Sequence, residues 1–288
     1  MRGKIIKGIG GFYYVKTPDG KVFECKARGI FRKENLKPYI GDEVEISTEN
    51  NTGNIEKILE RRTMLLRPAV ANIDTVVIVI AAKDPEPDTI FCDKLILSAE
   101  VAGIEPVVCI NKSDLKMDTH LLETYEKAGY KTLLVSAKNE DDAKKLLPII
   151  KRKTSAFAGF SGVGKSTLLG ILTGEKQETG EVSQKIKRGR HTTRRVELLE
   201  LLCGGYVLDT PGFSSFEIGG IKADELKNYF PEMIALNDMC RFKGCSHINE
   251  PDCAVKDAVE RGIIPKSRYE SYKTFYETLK KVKEWENK

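Results

Sequence analysis

The chain opens with short runs in which apolar and polar residues alternate. Lys4 to Ile9 and Gly11 to Lys16 are separated by glycine, and Lys21 to Ala27 follows Pro18-Asp19-Gly20. That tripeptide is a turn signal, because proline presets φ and glycine accepts a positive φ. Gly41-Asp42 opens a further run, Glu43 to Ser47, and Gly53 opens Asn54 to Leu59. Five short strands with Gly-rich turns in residues 1–64 predict a small barrel, with an OB-type barrel the best fit. Near Arg61 to Pro68 the pattern changes, and a linker is expected there.

From Asp74 the rhythm becomes strand–helix–strand. Asp74 to Ala82 is a continuous apolar, β-branched run, as in a strand buried on both faces. Asp88 to Ala102, Asp118 to Ala128 and Asp141 to Ile150 read as helices. Pro106 to Ile110, Lys131 to Val135, Lys153 to Ala158, Val196 to Leu202 and Tyr206 to Leu208 read as strands. This is the signature of an open, mostly parallel α/β sheet with helices on both faces. From about Lys222 the strands stop, and the chain ends in a charged helix from Lys266 to about Glu284. The expected domains are residues 1–64, 65–221 and 222–288.

Bulk properties narrow the class. A 288-residue chain with 41% hydrophobic and 31% charged residues is globular and long enough for more than one core. No apolar run reaches the roughly 18 residues of a membrane span, and Met1-Arg2-Gly3-Lys4 does not begin a signal peptide. A cytoplasmic protein with no membrane partner is expected. The net charge of +5 is modest, but its distribution is uneven. Residues 1–64 carry 13 Lys/Arg against 9 Asp/Glu, and Lys185 to Arg195 holds six basic residues and no acid. Such clusters suit phosphate contacts. Tyr13, Tyr14, Phe23 and Phe31 are candidates for stacking on bases, with at least half of them expected in the barrel core instead.

Gly159-Phe160-Ser161-Gly162-Val163-Gly164-Lys165-Ser166 fits the phosphate loop G-x-x-x-x-G-K-[ST], between an apolar strand and a helix start at Thr167. Its glycines let backbone N–H groups face an anion, Lys165 reaches the outer phosphates, and the Ser166 hydroxyl can ligate magnesium. Asn111-Lys112-Ser113-Asp114 matches the N-K-x-D guanine signature, and Ser136-Ala137-Lys138 the second guanine-side element. Asp114 can accept from guanine N1–H and its exocyclic amine together, a pattern adenine does not offer. Asp209-Thr210-Pro211-Gly212 matches D-x-x-G, with Asp209 on magnesium through water and the Gly212 N–H towards the γ-phosphate. Each element ends a strand, so the site is read as a GTP/GDP site with Mg2+. The order is a circular permutation: the guanine elements precede the phosphate loop, and the chain leaves the domain soon after D-x-x-G.

Between the phosphate loop and D-x-x-G lies Lys187-Arg188-Gly189-Arg190-His191-Thr192-Thr193-Arg194, where Thr193 or Thr192 is expected on magnesium. Phe213 stands where Ras-like enzymes carry the glutamine that orients water. His191, with a pKa naturally near neutrality, is therefore the candidate catalytic group.

Cys240, Cys245, His247 and Cys253 supply three thiolates and one imidazole, a recognised set for one structural zinc. The remaining Cys25, Cys92, Cys109 and Cys203 are expected to be buried small hydrophobes, and the odd count argues against a disulfide framework.

Together these residues resemble the RsgA family of circularly permuted, ribosome-dependent GTPases, over nearly the whole chain. The likeness rests on the barrel, the permuted motifs, Gly189-Arg190-His191-Thr192-Thr193, the hydrophobic residue after D-x-x-G, and the Cys/Cys/His/Cys module. Arg194-Arg195 is a local difference that adds charge. The resemblance implies an OB-fold, a GTPase domain and a zinc-binding helical domain. It also implies a checkpoint role in late maturation of the small (30S) ribosomal subunit, with hydrolysis stimulated by that subunit and release afterwards. It carries over Asn111 to Asp114 and Gly159 to Thr167 for GTP, and the four Cys/His residues for zinc. The small subunit and its rRNA are then the expected partners of a chain that is monomeric when free. The competing readings are a GTP-gated binding module with incidental hydrolysis, and a GTPase acting on another RNA.

Overall fold

The computed structural model describes residues 1–29, 31, 36–49, 52–66, 69–174, 196–209 and 220–286. Its fold is multidomain: an N-terminal barrel, a central α/β region with permuted motifs and a helical C-terminal region. The N-terminal strands are β1 (Arg2–Ile9), β2 (Phe12–Lys16), β3 (Val22–Ala27), β4 (Glu43–Glu49) and β5 (Thr52–Ile58). They pair in the order β1-β2-β3-β5-β4, and β1 returns to β4 over Arg2–Lys4, which closes the barrel. Strands β3 and β5 run parallel; the other neighbours are antiparallel. The period-2 pattern sends Ile5, Val15, Phe23, Cys25, Val44, Ile46 and Ile55 inwards. Phe31 joins them at 5% exposure, so Phe23 and Phe31 are core residues and do not face bases. Tyr13 packs against the same core, and Tyr14 is half-buried with its hydroxyl donating to Glu24 at 2.9 Å.

Where the sequence pattern changes, β6 (Met64–Leu66) and β7 (Ala69–Ala71) pair as a two-stranded ribbon. Arg61 ties the approach to that ribbon to the barrel. Its guanidinium donates to both carboxylate oxygens of buried Asp42, at 2.7 and 2.8 Å, and to the Lys37 carbonyl at 2.6 Å. Strand β1 also pairs with β12 (Glu197–Glu200), with Lys7 opposite Glu197 and their side chains 2.8 Å apart. Strand β12 lies antiparallel to β13 (Tyr206–Asp209), which is parallel to β11 (Thr154–Ala158). All of these belong to one compact unit, drawn from the described residues of Met1–Val76, Ala143–Phe157 and Lys165–Phe213.

A second unit is drawn from the described residues of Val77–Asp142, Ala158–Gly164 and Ser214–Lys288. Its strands β8 (Thr75–Ala81, from Val77), β9 (Glu105–Asn111) and β10 (Lys131–Leu134) lie in the order β10-β9-β8, with β9 and β10 parallel. Every residue of β8 is buried. Helices Thr89–Val101 and Thr119–Lys127 are capped by Asp88 and Asp118, whose carboxylates accept from Phe91 N and Leu121 N at 2.9 and 3.0 Å. The expected helix from Asp141 to Ile150, most of which belongs to the first unit, is instead three short pieces, Glu140–Ala143, Lys144–Leu146 and Leu147–Ile150. Pro148 explains the break: it has no N–H for the ladder, and its ring crowds the carbonyl one turn back.

The C-terminal helix Lys266–Glu286 buries Tyr269, Tyr272, Phe275 and Leu279 against Leu97, Phe230, Met233 and Val255. Within that contact Arg268, 1% exposed, donates to Asp93 at 2.7 Å and to Glu232 at 2.8 Å. Cys25, Cys92 and Cys109 are buried as expected, but Cys203 is only partly so, because it lies in the turn between β12 and β13.

Candidate functional site

The guanine-side and phosphate-side loops meet at Asn111, the last residue of β9 and 1% exposed. Its Nδ2 donates to the Val163 carbonyl at 2.8 Å, and its Oδ1 accepts from Ala137 N at 2.9 Å. One amide therefore fixes the N-K-x-D turn, the Ser136-Ala137-Lys138 turn and the phosphate loop against one another. Two glycines permit that closeness. A Cβ on Gly164 would stand 2.2 Å from Asn111 Nδ2, and one on Gly159 would stand 2.2 Å from the Val79 carbonyl. Both have positive φ, +96° and +144°, where only glycine is unstrained.

Asp114 is held from two sides. Ser136 Oγ donates to its Oδ1 at 2.7 Å, and Lys138 Nζ lies 2.8 Å from its Oδ2. The Lys138 and Ser136 hydrogen bonds keep its carboxyl below the usual carboxylate range, so it is an anion at neutral pH. Ser136 N donates to Asp142 at 2.5 Å, and Ser113 N to the Val135 carbonyl at 3.1 Å. Lys112 has a φ of +64° and its ammonium donates to the Asp84 carbonyl.

Beyond β11 the loop runs through exposed Phe160, Ser161 and Gly162 to buried Val163. The Phe160 ring lies 3.9 Å from that of Phe91, which packs this lip of the loop onto helix Thr89–Val101. Lys165, Ser166 and Thr167 form the first turn of helix Lys165–Thr173. Burial lowers the pKa of the Lys165 ammonium, and the Ser166 and Thr167 side chains are exposed. Asp209 closes β13, its backbone opposite Glu197. His191, Thr192, Thr193, Gly212 and Phe213 lie outside the described residues.

The Cys/His cluster is compact. The donor atoms of Cys240, Cys245, His247 and Cys253 all lie within 4.8 Å of one another. Cys240 Sγ is 3.8 Å from Cys253 Sγ, and His247 Nδ1 is 3.5 and 3.3 Å from those two sulfurs. A tetrahedron of about 2.3 Å Zn–S and about 2.0 Å Zn–N bonds has edges of about 3.8 and 3.5 Å, which the Cys240, His247 and Cys253 edges match, so with Cys245 within 4.8 Å of them the set is compatible with zinc. His247 is fully buried, and desolvation lowers its pKa to about 4, which leaves the imidazole neutral and able to ligate.

Residues outside the motif shape this loop. Asn237 Oδ1 lies 2.9 Å from His247 Nε2, which leaves Nδ1 as the ligating atom. Glu250 accepts from Ser246 N and Ser246 Oγ, both at 2.7 Å, and from Ile248 N at 3.1 Å. Burial pushes the Glu250 carboxyl up, but those hydrogen bonds outweigh it and bring the pKa down to about 2. Tyr269 and Tyr272 donate to the carbonyls of His247 and Ser246, each at 2.7 Å. No motif announces Asn237, Glu250 or the tyrosines; only their proximity in the fold does.

Known proteins resemble both regions. Residues 58–219 match the RsgA GTPase family, and residues 2–55 match the RsgA N-terminal domain. The Small ribosomal subunit biogenesis GTPase RsgA of Caldanaerobacter subterraneus is 48% identical over 293 residues, covering 100% of this chain and 98% of that protein. The protein of the same name from Ruminiclostridium cellulolyticum is 47% identical, over 99% of this chain and 96% of that one. Among solved structures, YloQ, described as a circularly permuted GTPase, is 37% identical with a TM-score of 0.82, covering 98% of this chain and 95% of its own. YjeQ from Thermotoga maritima is 39% identical with a TM-score of 0.82, over 96% and 98%. A permuted set of guanine and phosphate elements, held on one asparagine and matched along its full length, makes this chain a member of the RsgA family of GTPases.

Proposed function

We propose that this GTPase acts in late maturation of the small ribosomal subunit, with hydrolysis stimulated by that subunit and rRNA gripped through the barrel and the zinc module. The observation that carries the proposal is the Asn111 bridge, which joins a guanine-reading carboxylate at Asp114 to a phosphate loop, in a chain whose relatives are named for small-subunit biogenesis. In this reading residues 1–64 form the RNA-binding barrel, 65–221 the GTPase domain and 222–288 the zinc-binding domain. The protein works in the cytoplasm and is monomeric when free.

Asn111, Lys112, Ser113 and Asp114, with Ser136, Ala137 and Lys138, bind the base. Gly159 to Thr167 bind the phosphates, and Thr192, Thr193, Asp209 and Gly212 surround the γ-phosphate. Ser166 and Thr193 would hold Mg2+, which supplies charge neutralisation at the β- and γ-oxygens when bound. Cys240, Cys245, His247 and Cys253 would hold zinc, whose role there is structural, because four protein ligands leave no open position. His191 is the catalytic candidate, since Phe213 cannot orient water.

The test is GTP turnover by purified protein alone, with small subunits and with large subunits. Stimulation by small subunits alone is expected. No stimulation by either supports a GTP-gated binding module, the reading that the absent glutamine keeps open. His191→Ala is expected to abolish the stimulated rate while leaving nucleotide affinity unchanged; an unaltered stimulated rate removes the histidine from the mechanism.

A further inference from the structure

The outer face of the barrel carries a cavity of about 430 Å³. Strand register builds it from two parallel rows. In one, Phe12 on β2 stands opposite Lys26 on β3, Lys26 opposite Asn54 on β5, and Asn54 opposite Ser47 on β4. In the other, Tyr14, Glu24, Thr52 and Glu49 follow one another across the same four strands. Seven of these eight side chains line the cavity or its rim; Tyr14 supports it by donating to Glu24 Oε2 at 2.9 Å. Lys26 Nζ sits 5.1 Å from the centre of the Phe12 ring.

The chemistry of this set is unlike a phosphate groove. Two carboxylates face one ammonium, so the lining is net negative and repels a nucleic-acid backbone that offers only phosphates. What it can receive is a flat group with hydrogen-bond donors on its edge. Phe12 gives a stacking surface, and Glu49, exposed at the rim, gives a carboxylate with two acceptor oxygens. Glu24 keeps a second oxygen for acceptance once Tyr14 has used the first. Lys26 lies over the Phe12 ring, so a base that stacks there displaces its ammonium and leaves it to meet the single phosphate of the nucleotide that enters. Among the bases, guanine alone presents two adjacent donors, N1–H and N2–H, that a carboxylate can accept together. Uracil presents one N–H between two carbonyls that a carboxylate repels.

We propose that this cavity binds one unstacked guanine of single-stranded RNA, with the base on Phe12 and its donor edge on the Glu49 carboxylate. The inference rests on the reading of the barrel as an RNA-binding module and adds base selection to it. It also predicts an unusual salt response. Recognition through a base edge releases few counterions, so affinity for the preferred RNA falls only shallowly with salt.

The test titrates the full-length protein with labelled RNA oligomers, one of uridines alone and one with a single central guanosine. The guanosine oligomer is expected to bind about tenfold more tightly, the discrimination of one bidentate contact. Phe12→Ala is expected to weaken it by about tenfold, the worth of one base–aromatic stack. Glu49→Gln, at an exposed position that leaves folding intact, is expected to erase the preference for guanosine while keeping uridine binding. If both oligomers bind equally, with steep salt dependence and no response to Phe12→Ala or Glu49→Gln, base selection fails while RNA binding by the protein stands. If neither oligomer binds but the protein still co-sediments with small subunits, the cavity is likewise excluded and the broader reading survives.

Discussion

Asn111 Nδ2 and the carbonyl of Val163 lie 2.8 Å apart, although 52 residues separate them in the chain. The bond joins the end of β9 to the phosphate loop, and Gly164 leaves the space for it. Asn111→Asp replaces the donor with an oxygen facing an oxygen, inside a buried site. Affinity for GTP and GDP is expected to fall together by at least tenfold, since an unsatisfied buried polar group costs about 1–3 kcal/mol. Fluorescent-nucleotide titration checks it, with Gly164→Ala, which drives a methyl into Asn111, expected to match or exceed the loss.

The Arg268 guanidinium is buried between Asp93 and Glu232. Removing one member of such a cluster strands the others, so Arg268→Met is expected to destabilise the fold by about 3–5 kcal/mol in chemical denaturation. Neutralising both acids in the same chain, Asp93→Asn with Glu232→Gln, is expected to recover a large part of that loss. No recovery would mean that packing, and not stranded charge, dominates.

Metal analysis is expected to give one zinc per chain for the wild type, and well under one for Cys253→Ser. Chelation is expected to loosen the loop between Cys240 and Cys253 and raise its hydrogen exchange, because its own apolar core is small. Zinc-free protein with full protection in that loop would remove the metal from the structure's support.

Glu250 supplies a pH signature. Its carboxyl pKa of about 2 lies below the ordinary 4.5, so the folded state favours the anion. The stability it contributes is fully present above about pH 4.5 and is lost as pH falls towards 2. Glu250→Gln is expected to flatten the acid limb of a stability–pH curve in that window and to leave the limb above pH 6 alone. Denaturation midpoints across the range give the comparison.

The motif loops were legible because their chemistry demands particular residues side by side: Asn111 to Asp114, Ser136 to Lys138 and Gly159 to Ser166 announce themselves. The barrel was legible from alternation and glycine. Its aromatics were not, because alternation alone does not say which face is inside. Phe23 and Phe31 turned inwards, while Phe12 reached the outer cavity. Arg268 was invisible for a different reason. It sits in a helix that reads as charged and solvated, and its partners Asp93 and Glu232 lie 175 and 36 residues away. Asn237, Tyr269 and Tyr272 act on the Cys/His loop through single long-range hydrogen bonds, which leave no local pattern.

Lys7 waits 190 residues for Glu197. During synthesis β1 is among the first strands made, yet its neighbour β12 follows the Asn111–Asp114, Ser136–Lys138 and Gly159–Ser166 loops. The barrel can close through β4 early, but that flank of β1 stays without its pairing strand until translation has nearly finished the nucleotide region. Permutation thus sets a timetable: the Asn111–Asp114 and Ser136–Lys138 loops are made first, the Gly159–Ser166 loop second, and the strand that seams barrel to sheet after both. A chain stalled before β12 leaves the Lys7 end of β1 without its pairing strand on that flank, a short edge able to pair with the wrong neighbour.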